Sequence, residues 1–210
     1  LGGADNGTSA LFDNQGTFQK TGGTGTTTIS AAFNNSGAVN VQTGTINLTG
    51  GGTHSGSFGV SAGSTLEFGG GTHNLTNVSG LTSSGRVLIA GSTVNTTGTF
   101  TNCGLLEVQS GTLNAGGPIS TVSYTQSGGT LAGTGDMTVS GATAWSGGNM
   151  VGLGKTITNG ALTISGSGGL DDGRVLEIHG GGTWSAGSIN LNPTGTGNAV
   201  AGVLRNVAGS

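Results

Sequence analysis

The feature that most constrains this chain is a short motif that recurs along most of its 210 residues. A large apolar residue precedes three polar residues, a glycine, a residue of any type and an apolar strand, as in Phe33-Asn34-Asn35-Ser36-Gly37-Ala38-Val39. The spacing of the glycines in successive copies gives a somewhat irregular period of about 20–24 residues, which indicates a repeat architecture. The anchor glycines are Gly16, Gly37, Gly63, Gly85 and Gly104, and a shorter copy of the motif contains Gly173.

Between the glycines, apolar residues alternate with polar ones in short runs. Examples are Leu66-Glu67-Phe68, Leu106-Glu107-Val108 and Leu176-Glu177-Ile178. Because successive side chains of a strand point to opposite faces, each run presents one apolar and one polar side. Helical repeats and propeller blades need longer units. The sequence therefore predicts an all-β parallel β-helix (β-solenoid) of about nine coils, in which residues 1–210 form a single domain.

Charge is scarce, and this excludes several classes of protein. Charged residues make up 6% of the chain and the formal net charge is −3, so no basic surface for nucleic acid can form. No apolar run reaches the roughly 18 residues of a membrane helix, so we expect no membrane insertion. The single cysteine, Cys103, excludes a disulfide framework. Like charges on coils stacked about 4.8 Å apart would repel, so low charge also favours a solenoid.

The repeat resembles a known class of repeat regions. Runs such as Phe33-Asn34-Asn35-Ser36-Gly37-Ala38-Val39-Asn40-Val41, in a setting rich in Gly, Thr and Asn, are similar to those of large secreted bacterial surface proteins of the autotransporter passenger and haemagglutinin-type adhesin families. The resemblance covers nearly the whole chain. It implies a β-solenoid that is extracellular or at the cell surface, and it brings no catalytic, cofactor-binding or metal-binding residue with it.

We therefore expect a non-enzymatic structural protein, either a stalk or adhesin segment or a filament subunit. Both termini continue the repeat without a recognisable polar cap, and an uncapped solenoid exposes unpaired strand edges. This predicts a segment of a longer chain or a processed unit with uncapped ends. Identical units could stack end to end into a homopolymer. A surface glycan or a host receptor is a further candidate partner, and no cofactor is expected.

A carbohydrate-active β-helix enzyme is the alternative from a different class. Asp171-Asp172 and His179 resemble the paired-Asp and Gly-His-Gly motifs of some β-helix glycosidases, and two carboxylates are what glycoside cleavage requires. His179, however, follows isoleucine rather than glycine and comes so soon after Asp172 that both belong to one coil. The simpler interpretation is a solvated turn, in which an aspartate takes an asparagine-like place before Gly173.

Rings recur at related places in the repeat. His54 and His73 each follow a glycine run and a threonine, so they are expected to stack on adjacent coils, where two imidazoles could hold a metal. No third ligand repeats with them, so we expect a ring position on the coil surface and no metal site. The predicted core or ring positions of the repeat are Phe33, Phe100, Trp145 and Trp184.

Three further patterns bear on function. A module that binds glycan or ice is a third alternative. A flat array of Thr-x-Thr pairs can bind ice, but their irregular spacing does not predict one flat array. Gly133-Thr134-Gly135-Asp136-Met137 resembles a calcium β-roll repeat but has a single aspartate. Arg86 and Arg174 both follow an anchor glycine, and we expect an exposed cross-coil ion pair there, worth about 0–1 kcal/mol. The threonine pairs are Thr24–Thr26, Thr43–Thr45, Thr156–Thr158 and Thr194–Thr196.

Overall fold

The computed structural model describes residues 10–76, 81–192 and 200–207. Every strand pairing between these residues is parallel. The strands form three parallel stacks. The chain adds one strand to each stack in turn and then returns to the first stack, so it winds as a coil with three strands per turn. The predicted all-β parallel β-solenoid is confirmed, with nine complete coils and part of a tenth in the described residues.

The three stacks are the faces of the solenoid. The first face contains β1 (Leu11–Asn14), β4 (Ala32–Asn35), β7 (Gly52–His54), β10 (Thr72–Leu75), β15 (Thr130–Gly133), β18 (Asn149–Met150), β21 (Gly168–Leu170) and β24 (Ile189–Asn190). The second contains β2 (Thr17–Lys20), β5 (Ala38–Val41), β8 (Ser57–Val60), β11 (Leu81–Ser83), β16 (Met137–Val139), β19 (Lys155–Thr158), β22 (Val175–Ile178) and β25 (Val203–Asn206). The third contains β3 (Thr26–Ile29), β6 (Thr45–Leu48), β9 (Thr65–Phe68), β17 (Thr143–Trp145), β20 (Leu162–Ile164) and β23 (Gly182–Trp184). Three longer strands turn corners and supply the coils between: β12 (Arg86–Thr96), β13 (Phe100–Ala115) and β14 (Ile119–Gln126).

The strand register shows a period close to the lower end of the predicted range. Phe12 lies opposite Phe33 and Ile119 lies opposite Met137, so one coil takes about 20 residues. The step from Val175 to Val203 on the second face is longer, because the connection that precedes β25 is longer. Strands stay aligned while the spacing varies, since a solenoid accommodates insertions at its corners.

Inward side chains of the three faces form one continuous core along the axis. On the third face, Ile46, Leu66 and Leu106 are fully buried in successive or nearby coils. Burying each such side chain stabilises the fold by about 1.5–3 kcal/mol relative to exposing it. Of the predicted core or ring positions, Phe33, Phe100 and Trp145 are buried and Trp184 on β23 is 50% exposed.

The anchor glycines lie at two different corners of the coil. Gly16, Gly37 and Gly173 are between strands of the first and second faces, and Gly63, Gly85 and Gly104 are between the second and third. One motif serves both corners, because each needs a tight turn that leads into an apolar strand. At the first corner the glycines stack closely: a β-carbon on Gly37 would overlap the carbonyl oxygen of Gly16 in the preceding coil.

Replacing Gly37 by alanine is expected to destabilise the protein by about 2 kcal/mol or more. The added carbon would overlap backbone atoms of the preceding coil, and the hydrogen bonds between strands hold those atoms in place. Gly16 is the matched control. It holds the same motif position, but a β-carbon added there would meet only open space, so Gly16→Ala should change stability by about 0.5 kcal/mol or less. Denaturant unfolding followed by circular dichroism measures both. Equal losses in the two variants would contradict the glycine stack.

Some expectations concern residues that lie outside the described part of the chain. These are the uncapped ends at residues 1–9 and 208–210 and the threonine pair at 194–196. Within residues 10–76, 81–192 and 200–207 there is no helix, and hence none long and apolar enough to cross a membrane.

Candidate functional site

Two imidazoles are buried together inside the third and fourth coils. His54 on β7 and His73 on β10 are both 0% exposed, and their ring centroids are 5.3 Å apart with the planes 20° from parallel. Phe33, Phe58 and Phe68 pack around them, with Phe68 4.8 Å from the His73 ring centroid. The expected stacking is therefore confirmed. The expected surface position is wrong, because strand alternation turns both side chains inward.

Hydrogen bonds determine the tautomer of both rings. Nε2–H of His73 donates to the carbonyl of Gly70 over 3.0 Å, so Nδ1 of neutral His73 is an acceptor. Nε2–H of His54 donates to that Nδ1, also over 3.0 Å. Nδ1 of His54 is then left without a hydrogen-bond partner among the described residues. A proton added there would be buried between rings with nothing to accept it.

The surroundings keep this pair neutral. Burial, and to a smaller extent His73, lowers the pKa of His54 from 6.5 to about 3. Burial also lowers the pKa of His73, although the carbonyls of Gly70 and Leu48 act in the opposite direction. In the described part of the chain, no three His, Cys, Asp or Glu residues are grouped so that they could hold a metal ion. The pair is therefore a packing element whose protonation opposes folding.

A guanidinium is buried at the corner between the first and second faces. Arg174 is 0% exposed, and its Nη2 donates to Oγ1 of Thr156 over 3.0 Å and to the carbonyl of Lys155 over 3.4 Å. Its Nη1 donates to the carbonyl of Gly133, two coils away, over 3.5 Å. Burial lowers the pKa of Arg174 to about 10, with Tyr124 and Asp136 acting in the opposite direction. Arg174 thus joins three coils through neutral acceptors.

The two arginines that follow anchor glycines have different environments. Arg86 forms the expected cross-coil ion pair, with its Nη2 2.9 Å from Oε2 of Glu107 and its side chain 36% exposed. For Arg174 the expectation of an exposed ion pair is wrong, because the side chain points into the core and donates to hydroxyl and carbonyl oxygens. Both arginines directly follow a glycine. The side chain of Arg86, however, is on the outward side of the third face, whereas the side chain of Arg174 points inward from a corner of the coil.

Three further buried polar side chains, Tyr124, Gln126 and Trp145, have hydrogen-bond partners. The hydroxyl of Tyr124 donates to Oε1 of Gln126 over 2.9 Å, and Nε2 of Gln126 donates to the carbonyl of Asn149 over 2.9 Å. Nε1 of Trp145 donates to the carbonyl of Gly147 over 2.9 Å. Burial raises the pKa of the Tyr124 hydroxyl. Gln126 therefore connects neighbouring coils, and all three side chains are closed to solvent.

Outside the second face, three basic side chains converge on Glu177. Its carboxylate lies 2.6 Å from Nη1 of Arg205, 3.5 Å from Nζ of Lys155 and 3.7 Å from Nε2 of His179. Desolvation acts to raise the pKa of Glu177, but Lys155 and Arg205 outweigh it and hold the pKa below its ordinary value. The cluster spans β19, β22 and β25, so it links the last three coils of that face.

A strand separates the residues of the enzyme alternative. Asp171 and Asp172 precede β22 and His179 follows it, so a strand about 13 Å long separates them. The turn at Asp172 has φ of 54°, the left-handed conformation expected of an asparagine-like turn residue. Asp171 is only 1% exposed, so the expectation of a solvated turn is wrong for this carboxylate. Its Oδ1 accepts the backbone N–H of Asp172 over 2.7 Å.

An open groove of about 660 Å³ follows the corner between the second and third faces. It exists because glycines line the corner, and the exposed apolar side chain in it is Val122, which is 54% exposed. Among the described residues that line it, the one charged side chain is Arg86, which is already paired with Glu107. The groove therefore offers a surface but brings together no acid–base groups. Its lining residues include Gly63, Ser64, Ser84, Gly85, Gly104 and Leu105.

The threonine pairs found by sequence do not share one surface. Thr156 and Thr158 are buried, whereas Thr26 and Thr45 lie opposite each other on the third face. Asp136, the single aspartate of the calcium-like run, accepts the backbone N–H of Lys155 in the next coil over 2.8 Å. Where the structure describes them, the threonine pairs and the calcium-like run thus contribute to the stacking of coils.

The architecture defines a β-solenoid repeat protein whose buried polar groups join neighbouring coils. No protein-family model, no curated protein and no solved structure matches this chain.

Proposed function

We propose that this chain is a non-enzymatic structural β-solenoid that acts outside the cell, as a stalk or adhesin segment or as the subunit of a filament. Its main support is the parallel ladder that runs through the described coils without a change of direction. The extracellular setting rests on the resemblance of the repeat to secreted adhesins. As a stalk or adhesin segment, the rod would hold or present a site for a surface glycan or a host receptor.

Side-chain hydrogen bonds reinforce the ladder along the rod axis. Nδ2 of buried Asn14 donates to Oδ1 of Asn35 over 2.8 Å, and Nδ2 of Asn35 donates to the carbonyl of Ser57 over 3.1 Å. The backbone bonds between strands run from coil to coil, and therefore along the same axis. Because a load along the axis is shared by three stacks of such bonds, the architecture suits a rod that transmits force.

Both ends of the described rod present half-buried apolar residues that pack on the core from one side. A further coil, supplied by a second copy or by more of the same chain, would cover them and continue the parallel ladder. Trp184 on the last strand of the third face is 50% exposed for the same reason. The half-buried residues are Phe12, Phe18 and Ile29 in the first coil and Ile189 and Leu204 in the last.

We expect electron microscopy of the purified chain at high concentration to show filaments that lengthen with concentration. Lysine on the last strand of the third face, as Trp184→Lys, should shorten them severalfold, because head-to-tail stacking would bury that position and a buried lysine charge opposes stacking. Trp184 is 50% exposed, so this change leaves the core intact.

Leu153→Lys is the matched control, since Leu153 is 68% exposed but lies away from both ends. Filaments of that variant should equal the wild type in length. Discrete short rods at every concentration would contradict self-stacking, and a random-coil circular dichroism spectrum would contradict the structural assignment altogether.

A further inference from the structure

The first face carries a regular polar array that the spacing of the sequence does not reveal. Strand register places Thr72, Thr93, Thr112 and Thr130 in one row, opposite one another in successive coils. It places Asn74, Asn95 and Asn114 in a second row, two positions further along each strand. The residues between the rows are buried, so both rows point outward. We name these seven residues the Thr/Asn array.

The asparagine row is a hydrogen-bonded ladder. Nδ2 of Asn95 donates to Oδ1 of Asn74 over 2.9 Å, and Nδ2 of Asn114 donates to Oδ1 of Asn95 over 3.2 Å. Each amide has two N–H donors and two lone pairs, so every member of the row keeps hydrogen-bonding capacity that the ladder does not use. The row therefore presents donors and acceptors together, at the roughly 4.8 Å interval of stacked strands.

Charge distinguishes this face from the third along most of the rod and from the second at the eighth coil. From the second to the eighth coil, the described outward residues of the first face include no charged side chain. Over the same coils the described strands of the second face carry Lys155 alone, in the eighth coil, and the third face carries Glu67, Arg86 and Glu107. Outward charge on strands prevents one sheet surface from associating with another. The first face has no such protection over this length.

We propose that the Thr/Asn array binds the same array on a second copy of this chain, so that two rods pair side by side. A second copy has an identical repeat along the rod, so its rows match over many coils. Amides and hydroxyls are self-complementary, because each is both donor and acceptor. Facing asparagine rows and dry polar interfaces of this type occur where identical sheets pack together.

The size of the face sets the expected strength. Seven coils of about 4.8 Å, with strands of about four residues at 3.3 Å, give roughly 450 Å² on each rod. This is smaller than the roughly 800 Å² per partner of a standard stable interface. Pairing is therefore expected to be weak, with a dissociation constant of about 0.1–1 mM for a single pair of rods. In a filament or at a crowded surface, repeated contacts between neighbouring rods would add to it.

This pairing goes beyond end-to-end stacking and uses a different surface, so either can fail without the other. The test is sedimentation equilibrium up to about 1 mM protein, in the Trp184→Lys background, which blocks one end of every copy and so prevents head-to-tail stacking. We expect a monomer–dimer equilibrium. Asn95→Glu with Asn114→Glu should lower the association constant at least tenfold, because each added charge meets its copy across the pair.

Thr163→Glu is the matched control, because Thr163 is an exposed outward residue on β20 of the third face. Its association constant should stay within twofold of the parent. Thr93→Lys tests the threonine row independently and should weaken pairing as the double variant does, with an unchanged circular dichroism spectrum showing that each variant is folded. The proposal is overturned if the end-blocked parent stays monomeric, or if the array variants and Thr163→Glu associate equally. It is also overturned if the parent stays monomeric yet binds microcrystalline cellulose or ice through the array.

Discussion

Replacing Arg174 by alanine is expected to lower the free energy of unfolding by about 3–5 kcal/mol. The guanidinium donates to Thr156, Lys155 and Gly133 while fully shielded from water. Alanine removes the donor from one buried hydroxyl and two carbonyls, and it opens a cavity that crosses three coils. Equilibrium denaturation measures the loss, which should be largest in the later coils by hydrogen exchange.

Two variants separate the causes of this effect. Arg174→Met fills much of the same volume without a buried charge, so we expect it to cost less than half as much as alanine. Arg86→Ala removes an arginine that also follows a glycine, but its ion pair with Glu107 is partly exposed, and about 1 kcal/mol or less should be lost. Similar losses for Arg86→Ala and Arg174→Ala would contradict the buried role of Arg174.

Acidification from pH 7.5 to 5 is expected to destabilise the solenoid by about 2 kcal/mol through His54 alone. Unfolded histidine binds a proton near pH 6.5, whereas folded His54 does so only near pH 3. The unfolded chain therefore holds more protons in this window, and stability present above pH 6.5 is lost as the pH falls towards 3. His73, whose pKa is also lowered, adds to the effect. Thermal or urea unfolding across the range measures it.

Replacing both histidines by leucine tests whether they cause this loss of stability. Leucine is chosen because Leu75 already lies opposite His54 in the strand register. His54→Leu with His73→Leu should remove most of the loss between pH 7.5 and 5. Phe58→Leu is the control, since Phe58 packs against His54 but does not titrate. It should lower stability equally at both pH values. An unchanged acid loss in the double leucine variant would show that other groups cause it.

The fold was predictable because its causes are local. Alternation in runs such as Leu66-Glu67-Phe68 determines which side of a strand is apolar, and glycine with small polar residues determines the turns. A repeat of such units has few ways to bury its apolar sides other than by stacking. The same information could not show at which corner each anchor glycine lies. The corner between the first and second faces and the corner between the second and third faces use the same motif.

The candidate site was less predictable because it depends on register. The repeat that contains His54 and His73 begins with three glycines, which carry no hydropathy signal to tell inward from outward positions. The matching places of the two histidines after their glycine runs suggest equivalent positions, but β7 pairs with β10 so that His54 lies opposite Leu75. The burial of both rings follows from that pairing, which the spacing alone does not show.

By itself, the sequence determined the all-β class, the coil of about 20 residues and the scarcity of charge, because these follow from alternation, turn residues and composition. Tertiary structure alone decided that Arg174 and two histidines point inward, that Asp172 and His179 lie at opposite ends of β22, and that threonines and asparagines align on the first face. The physical reason is that stacking sets each residue against one a full coil away. A shift of one residue at a corner reverses which side chains face the core.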